Sequence, residues 1–186
     1  ILLAAISGIV QGTKYNHGAE VIENYPIDSD SLLSIRVSDD PYFNKRLKRY
    51  QTTHAELMAL DENRIVYGFP ELKIKHTNQD KPRLEIEKTA RGSSYRNALE
   101  ISEDIEYQFT QNGDTLSLAP YFTGDESFKY RDHYVRLTLY VPDSTSIKFD
   151  EDIARIMERR YAYDGIYITD MAGKTATMID ENLECQ

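Results

Sequence analysis

Glu85 and Glu87 stand two residues apart in Leu84-Glu85-Ile86-Glu87, so on an extended strand both carboxylates share one face. Paired carboxylates are the equipment of glycoside hydrolysis, which needs two of them across a substrate and one with a raised pKa. A structural reading competes. Leu72-Lys73-Ile74-Lys75 carries the opposite charge in the same pattern a few residues earlier, and Lys facing Glu across a ladder contributes about 0.2–1 kcal/mol per pair and helps fix register. The spacing is expected to serve the ladder and not catalysis. Metal chemistry has less to work with. His17, His54, His76 and His133 are scattered, without HExxH or HxH spacing, and the single cysteine, Cys185, stands far from all of them. No GxSxG elbow marks a nucleophile, and Gly8, Gly12 and Gly18 do not form a phosphate-cradling loop. The chain is therefore expected to be non-enzymatic, without cofactor or metal.

Two segments suit binding better than reaction. Lys45-Arg46-Leu47-Lys48-Arg49 is a local basic cluster, fitted to anionic head groups or an acidic partner, although a solvated face flanked by Asp39, Asp40 and Glu56 accounts for it as well. Tyr130-Arg131-Asp132-His133-Tyr134, with Tyr121 and Phe122 before it, is the richest polar-aromatic stretch, of the kind that lines a glycan or peptide groove. Lys45, Arg46, Lys48, Arg49, Tyr121, Tyr130, Arg131 and Tyr134 are thus the candidate interaction surface. The net charge of −9 repels phosphate backbones and argues against nucleic acid.

The elements that must carry these residues are strands. Period-two alternation marks Leu33–Val37, Leu72–Lys75, Leu84–Glu87, Ile105–Phe109, Leu116–Leu118, Val135–Val141, Ile147–Phe149 and Ile166–Ile168. Gln111-Asn112-Gly113-Asp114 and Thr77 through Pro82 read as turns, and Pro142-Asp143 closes a strand. Fourteen tyrosines in 186 residues suit half-buried sheet faces. Only two stretches break the alternation: residues 41–60 are loosely helical or an ordered loop, and Asp150–Arg160 reads as a short helix with acids leading, arginines closing and Ile153, Ile156 and Met157 inward. Short strands at fairly even spacing fit a sandwich, a barrel or a solenoid, and the turn signals alone favour a β-sandwich.

From residue 64 onward the order of features resembles the C-terminal toast-rack domain of Bacteroidetes-type PspC (phage-shock protein C) proteins. The pieces that carry the likeness are Glu71–Lys75, Leu84–Gly92, Ala98, Ile105–Phe109, Asp114–Leu118, Tyr130-Arg131, Val135–Pro142 and the closing Met178-Ile179-Asp180-Glu181-Asn182-Leu183-Glu184-Cys185. Asn182 stands where glycine is expected, and both residues tolerate a left-handed backbone. The resemblance implies an all-β β-solenoid with one or two short helices, in preference to the sandwich. It implies a non-catalytic interaction or scaffold domain in an envelope-stress protein, tethered to the membrane by preceding helices. Its partner would be another membrane protein or a second copy. An adhesin-like glycan- or peptide-binding domain is the alternative.

Ile1 through Val10 is apolar but shorter than the ~20 residues a helix needs to cross a bilayer. It reads as the end of a transmembrane segment or an apolar lead-in over residues 1–12, followed by one domain over 13–186. The weak basic flank after it favours an extracytoplasmic, periplasmic position.

Overall fold

The computed structural model describes residues 17–29, 31–40, 58–59, 64–125, 133–156, 162–163, 166–167 and 171–185. The strands follow the alternation. In β6 (Arg83–Arg91), Leu84, Ile86, Lys88 and Ala90 are buried while Arg83, Glu85 and Glu87 lie half-buried on the opposite face. β5 (Glu71–His76) buries Leu72 and Ile74, and β9 (Tyr134–Val141) buries Val135, Leu137, Leu139 and Val141. With β1 (Gly18–Pro26) these form a four-stranded sheet in the order β1-β6-β9-β5. β1 and β9 run antiparallel to β6, and β5 runs parallel to β9.

This order corrects the expected Lys–Glu ladder. β5 and β6 are consecutive and opposite in direction, but β9 lies between them. Lys73 therefore stands beside Thr138, and Glu85 meets Thr138 from the other side. The turn from Thr77 to Pro82 spans an inserted strand that arrives some fifty residues later, roughly one supersecondary unit downstream.

The second sheet has eight strands. Its main path runs β14 (Asn182–Cys185), β13 (Thr175–Ile179), β10 (Ser146–Phe149), β2 (Leu32–Val37), β8 (Thr115–Asp125), β4 (Arg64–Gly68) and β3 (Met58–Ala59), with β7 (Glu106–Asn112) also on β8. β8 changes partner halfway. Its first half pairs parallel with β2, its second half antiparallel with β4, and β7 follows its other edge. Pro120 sits at the changeover, between the last β2 partner at Leu118 and the first β4 partner at Phe122, where a proline without an N–H is tolerated. A separate pair, β11 (Ala162–Tyr163) and β12 (Ile166–Tyr167), is antiparallel.

One hydrophobic core joins the two large sheets, running from Leu72, Leu84 and Leu137 to Leu33, Leu116 and Ile147. The all-β expectation holds. The sheets are mixed and curled and do not form a clearly closed solenoid. Parallel pairing of the kind a coil of rungs requires appears in β2–β8, β2–β10 and β5–β9, interrupted by antiparallel neighbours.

A helix that alternation concealed, α1 (Tyr95–Asp104), packs on β1 and β6. Ser94 caps it by accepting the Asn97 N–H at 3.2 Å, and it buries Ala98, Ile101 and Ser102. Ser102 Oγ lies 3.0 Å from the Ala19 carbonyl and 2.8 Å from that of Ala98, tying the helix to β1. The helix expected over 150–160 is a shorter 3-10 turn, Glu151–Arg155, capped by Asp150, with Ile153 and Ile156 buried as expected. Met157 through Arg160 lie outside the described residues, as do 41–57, the residues of the looser stretch up to β3. Residues 1–12 lie outside them too. At the closing hairpin the left-handed positions are Asp180 (φ 47°) and Glu181 (φ 66°), whereas Asn182 already belongs to β14. The Asn112–Gly113 turn is the expected hairpin, with Gly113 at φ 56° between β7 and β8.

Candidate functional site

The outward face of the four-stranded sheet is built from the polar positions of four strands in unbroken register. One row runs Asn24, Glu85, Thr138, Lys73; the next runs Ile22, Glu87, Arg136, Glu71; a third runs Pro26, Arg83, Tyr140, Lys75. Arg136 grips Glu87 with Nη1 at 3.0 Å from Oε1 and 2.9 Å from Oε2, and Tyr134 O–H donates to the same carboxylate. Arg83 donates to Asn24 Oδ1 at 2.6 Å and lies 3.4 Å from Glu85 Oε2. Its guanidinium stacks over the Tyr140 ring at 3.7 Å, and the Tyr140 hydroxyl donates to Glu85 at 3.3 Å.

These contacts tie both carboxylates to side chains of the same sheet. Each is held by a cation and a tyrosine hydroxyl on the outward sheet face. Burial, and then the hydrogen bond to Glu87, push the Tyr134 phenol up to about 12. Burial also raises Glu20, helped by the nearby Glu87 carboxylate, and burial followed by Arg136 lowers Lys73. Glu85 and Glu87 thus pair with Arg83, Arg136 and the tyrosines, and not with Lys73 and Lys75 across a ladder as expected.

A second polar group faces inward at the edge of the same sheet. Lys88, buried, reaches Glu23 Oε1 at 2.6 Å, and Tyr25 O–H donates to Glu23 Oε2 at 2.9 Å. Burial and the adjacent Glu23 push Tyr25 up to about 12.

Tyr121 lies elsewhere. It lines a cleft of about 380 Å³ on the eight-stranded sheet, together with Asp39, Asp40, Glu106, Phe109 and Pro120, and its hydroxyl donates to Asp40 Oδ2 at 2.6 Å. The cleft forms where the β7–β8 register shifts between Tyr107 and Phe109. Tyr121 and Tyr134, both expected in one surface, thus sit on different sheets. Lys45, Arg46, Lys48, Arg49, Tyr130 and Arg131 lie outside the described residues. Among the described residues, no group of three His, Cys, Asp or Glu could hold a metal ion, and no helix is long and apolar enough to cross a membrane.

Sequence reasoning passed over Arg83, Arg136 and Tyr140. The signal was there: Tyr134-x-Arg136-x-Thr138-x-Tyr140 is a polar-aromatic alternation along the solvent side of β9.

The family described as "ToastRack found in some PspC" matches residues 58–186, more than half of the chain. The chain belongs to this toast-rack family of PspC C-terminal domains. No curated protein and no solved structure matches it. The toast-rack match begins at β3, so it takes in β5, β6 and β9 of the ionic face and both halves of the cleft's β7–β8 hairpin.

Proposed function

We propose that this toast-rack domain is a non-catalytic interaction module of a PspC-like envelope-stress protein, held at the membrane and displayed on its extracytoplasmic side. The observation that carries the reading is the ionic face. Four strands hold charged and aromatic side chains in a fixed, cross-linked array, with its paired carboxylates bound by Arg136, Arg83 and tyrosine hydroxyls. Such a surface is pre-organised for docking, because little side-chain freedom is lost when a partner settles on it. Membrane association is suggested by the PspC family itself.

The test is co-purification from membranes of the full polypeptide that carries the domain, against a form lacking residues 58–186 and a form carrying Arg136→Ala with Tyr140→Ala. Loss of the same partner in both altered forms supports docking at the ionic face. Retention of every partner without residues 58–186 defeats the reading.

The cleft at Tyr121 favours a second reading, an adhesin-like site for a glycan or peptide. Aromatic and proline surface beside carboxylates suits sugar rings or basic side chains. Titration with glycan fragments and short basic peptides, followed by Tyr121→Ala, distinguishes it from docking on the other sheet.

A further inference from the structure

The ladder between β1 and β6 has a fixed phase. The Gly92 N–H donates to the His17 carbonyl at 3.1 Å, and the Ile27 N–H donates to the Pro82 carbonyl at 2.9 Å. Between those two bonds the register runs unbroken from Gly18 opposite Arg91 to Pro26 opposite Arg83. In an antiparallel pair, residues alternate between bonding the neighbour and pointing away from it. His17 and Ile27 both bond β6, so the odd-numbered residues of β1 do. The N–H and C=O groups of Glu20, Ile22 and Asn24 therefore point to the outer edge. Among the described strands none pairs with that edge.

Among the described strands the other edges are short or blunted, with β3, β11 and β12 two residues each. On β5 the Leu72 N–H already donates to the Ile156 carbonyl, and Lys73 and Lys75 stud the strand. β14 has four residues, and the β7–β8 ladder is broken by a register shift. β1, with nine residues, is the long regular edge.

We propose that this edge is a self-association site, where β1 of one copy pairs antiparallel with β1 of a second about a two-fold axis at Ile22. The axis follows from the residues. It sets Ile22 against Ile22 of the second copy and Glu20 against Asn24, all through outward-pointing backbone groups. On the inner face Val21 meets Glu23, whose charge is already matched by Lys88. No carboxylate directly opposes another, so the strand is complementary to itself in hydrogen bonding without setting like charges opposite each other. The pairing joins two four-stranded sheets into one continuous sheet and extends the ionic face across both copies. It deepens the interaction-module reading by giving one partner, a second copy, a surface.

Ile22→Pro is the incisive variant. Residue 22 does not bond β6, so proline leaves the internal ladder intact while removing an outward donor and placing a ring on the edge. Sedimentation equilibrium across a concentration series is expected to show the chain passing from one mass to two, and Ile22→Pro weakening that association by about tenfold or more. A single mass throughout for the unaltered chain overturns the proposal, as does equal association by the folded variant. Hydrogen exchange on the unaltered chain gives an answer even where the variant misfolds. The Glu20, Ile22 and Asn24 amides are expected to slow with concentration while Val21 and Glu23 stay protected throughout. Concentration-independent exchange at all five overturns it. A monomeric chain that still captures a different membrane protein removes the edge pairing alone and leaves the docking role standing.

Discussion

In the four-stranded sheet the strands run six to nine residues in unbroken register, and the polar faces of neighbouring strands lock into one array. In the eight-stranded sheet β8 exchanges one neighbour for another halfway along, and the register shifts twice, at Val66/Gly68 and at Tyr107/Phe109. The difference is visible on the surface. Continuous register places Arg136 beside Glu87 and Arg83 over Tyr140, producing a cross-linked face whose rows end at a hollow beside the turn from Thr77 to Pro82, lined by Asn24, Pro26 and Arg83. Interrupted register, at the changeover between Leu118 and Phe122, opens a cleft lined by Asp40, Phe109 and Tyr121. The regular sheet offers a cross-linked platform and the interrupted one a cleft between its own strands, over a shared core.

The sharpest way to break the comparison is to loosen the interrupted sheet. Phe122, 1% exposed, follows the changeover in β8, and its ring packs so close to Gly68 that a Cβ there would lie 3.2 Å from it. Phe122→Ala is expected to lower stability by about 3–5 kcal/mol, read from urea unfolding. Such a loss means that the cleft sits on a packed scaffold despite its irregular pairing. A loss below about 1 kcal/mol would mean that the changeover is poorly supported and the cleft has no fixed shape.

A smaller effect tests the edge of the regular sheet. Lys88 points inward, and removing it as Lys88→Met leaves Glu23 in a partly desolvated site with only the Tyr25 hydroxyl. The expected cost is about 2–3 kcal/mol, below that of a fully buried pair because Glu23 keeps some solvent contact. Changing both residues, Lys88→Met with Glu23→Leu, is expected to recover most of it, because no charge is then stranded. Thermal melts of the single and double variants measure both. If the double variant is no more stable than the single, Lys88 acts by packing its stem and not by matching charge.

The same contrast governs how much could be read beforehand. Strand positions in the regular sheet were legible because alternation is local: Leu84, Ile86, Leu137 and Leu139 announce their buried face within a few residues. Pairing was not. Lys73 and Glu85 are close in sequence and opposite in charge, yet β9 separates them, and no local rule reports a strand inserted from far downstream. β8 was legible only as Leu116–Leu118 although it spans eleven residues, because strict alternation stops there and the changeover that accommodates Pro120 is a tertiary fact. Helix α1 was hidden for another reason. Its start signal, Ser94 accepting from Asn97, sits between two stretches of strong alternation, and its buried stripe is short, with Ala98 and Ile101 as its apolar members. Gly92 was informative in retrospect, since a Cβ there would fall on the Ala98 backbone nitrogen. Of the candidate site, Tyr134 was found and its partner Glu87 was not, because β6 meets β9 only through a tertiary pairing.

The finest test compares two tyrosines on opposite faces of the regular sheet. Tyr25 and Tyr134 are each pushed up to about 12, by burial first and then by the carboxylate that accepts their hydroxyl, Glu23 for one and Glu87 for the other. An ordinary phenol titrates near 10. The folded chain thus holds these protons more tightly than the unfolded chain. The stability they contribute is fully present below pH 10 and is lost as pH rises toward 12. Absorbance titration of the phenolates, run beside melts across that interval, reads both consequences. Glu87→Gln removes the negative charge beside Tyr134 but not its burial, so its titration is expected to move part of the way back toward 10 while that of Tyr25 stays put. Equal movement of both would mean that the two faces are coupled through the sheet. Movement of neither would mean that burial alone sets them, and that the Glu87 contact with Tyr134 does not persist in solution.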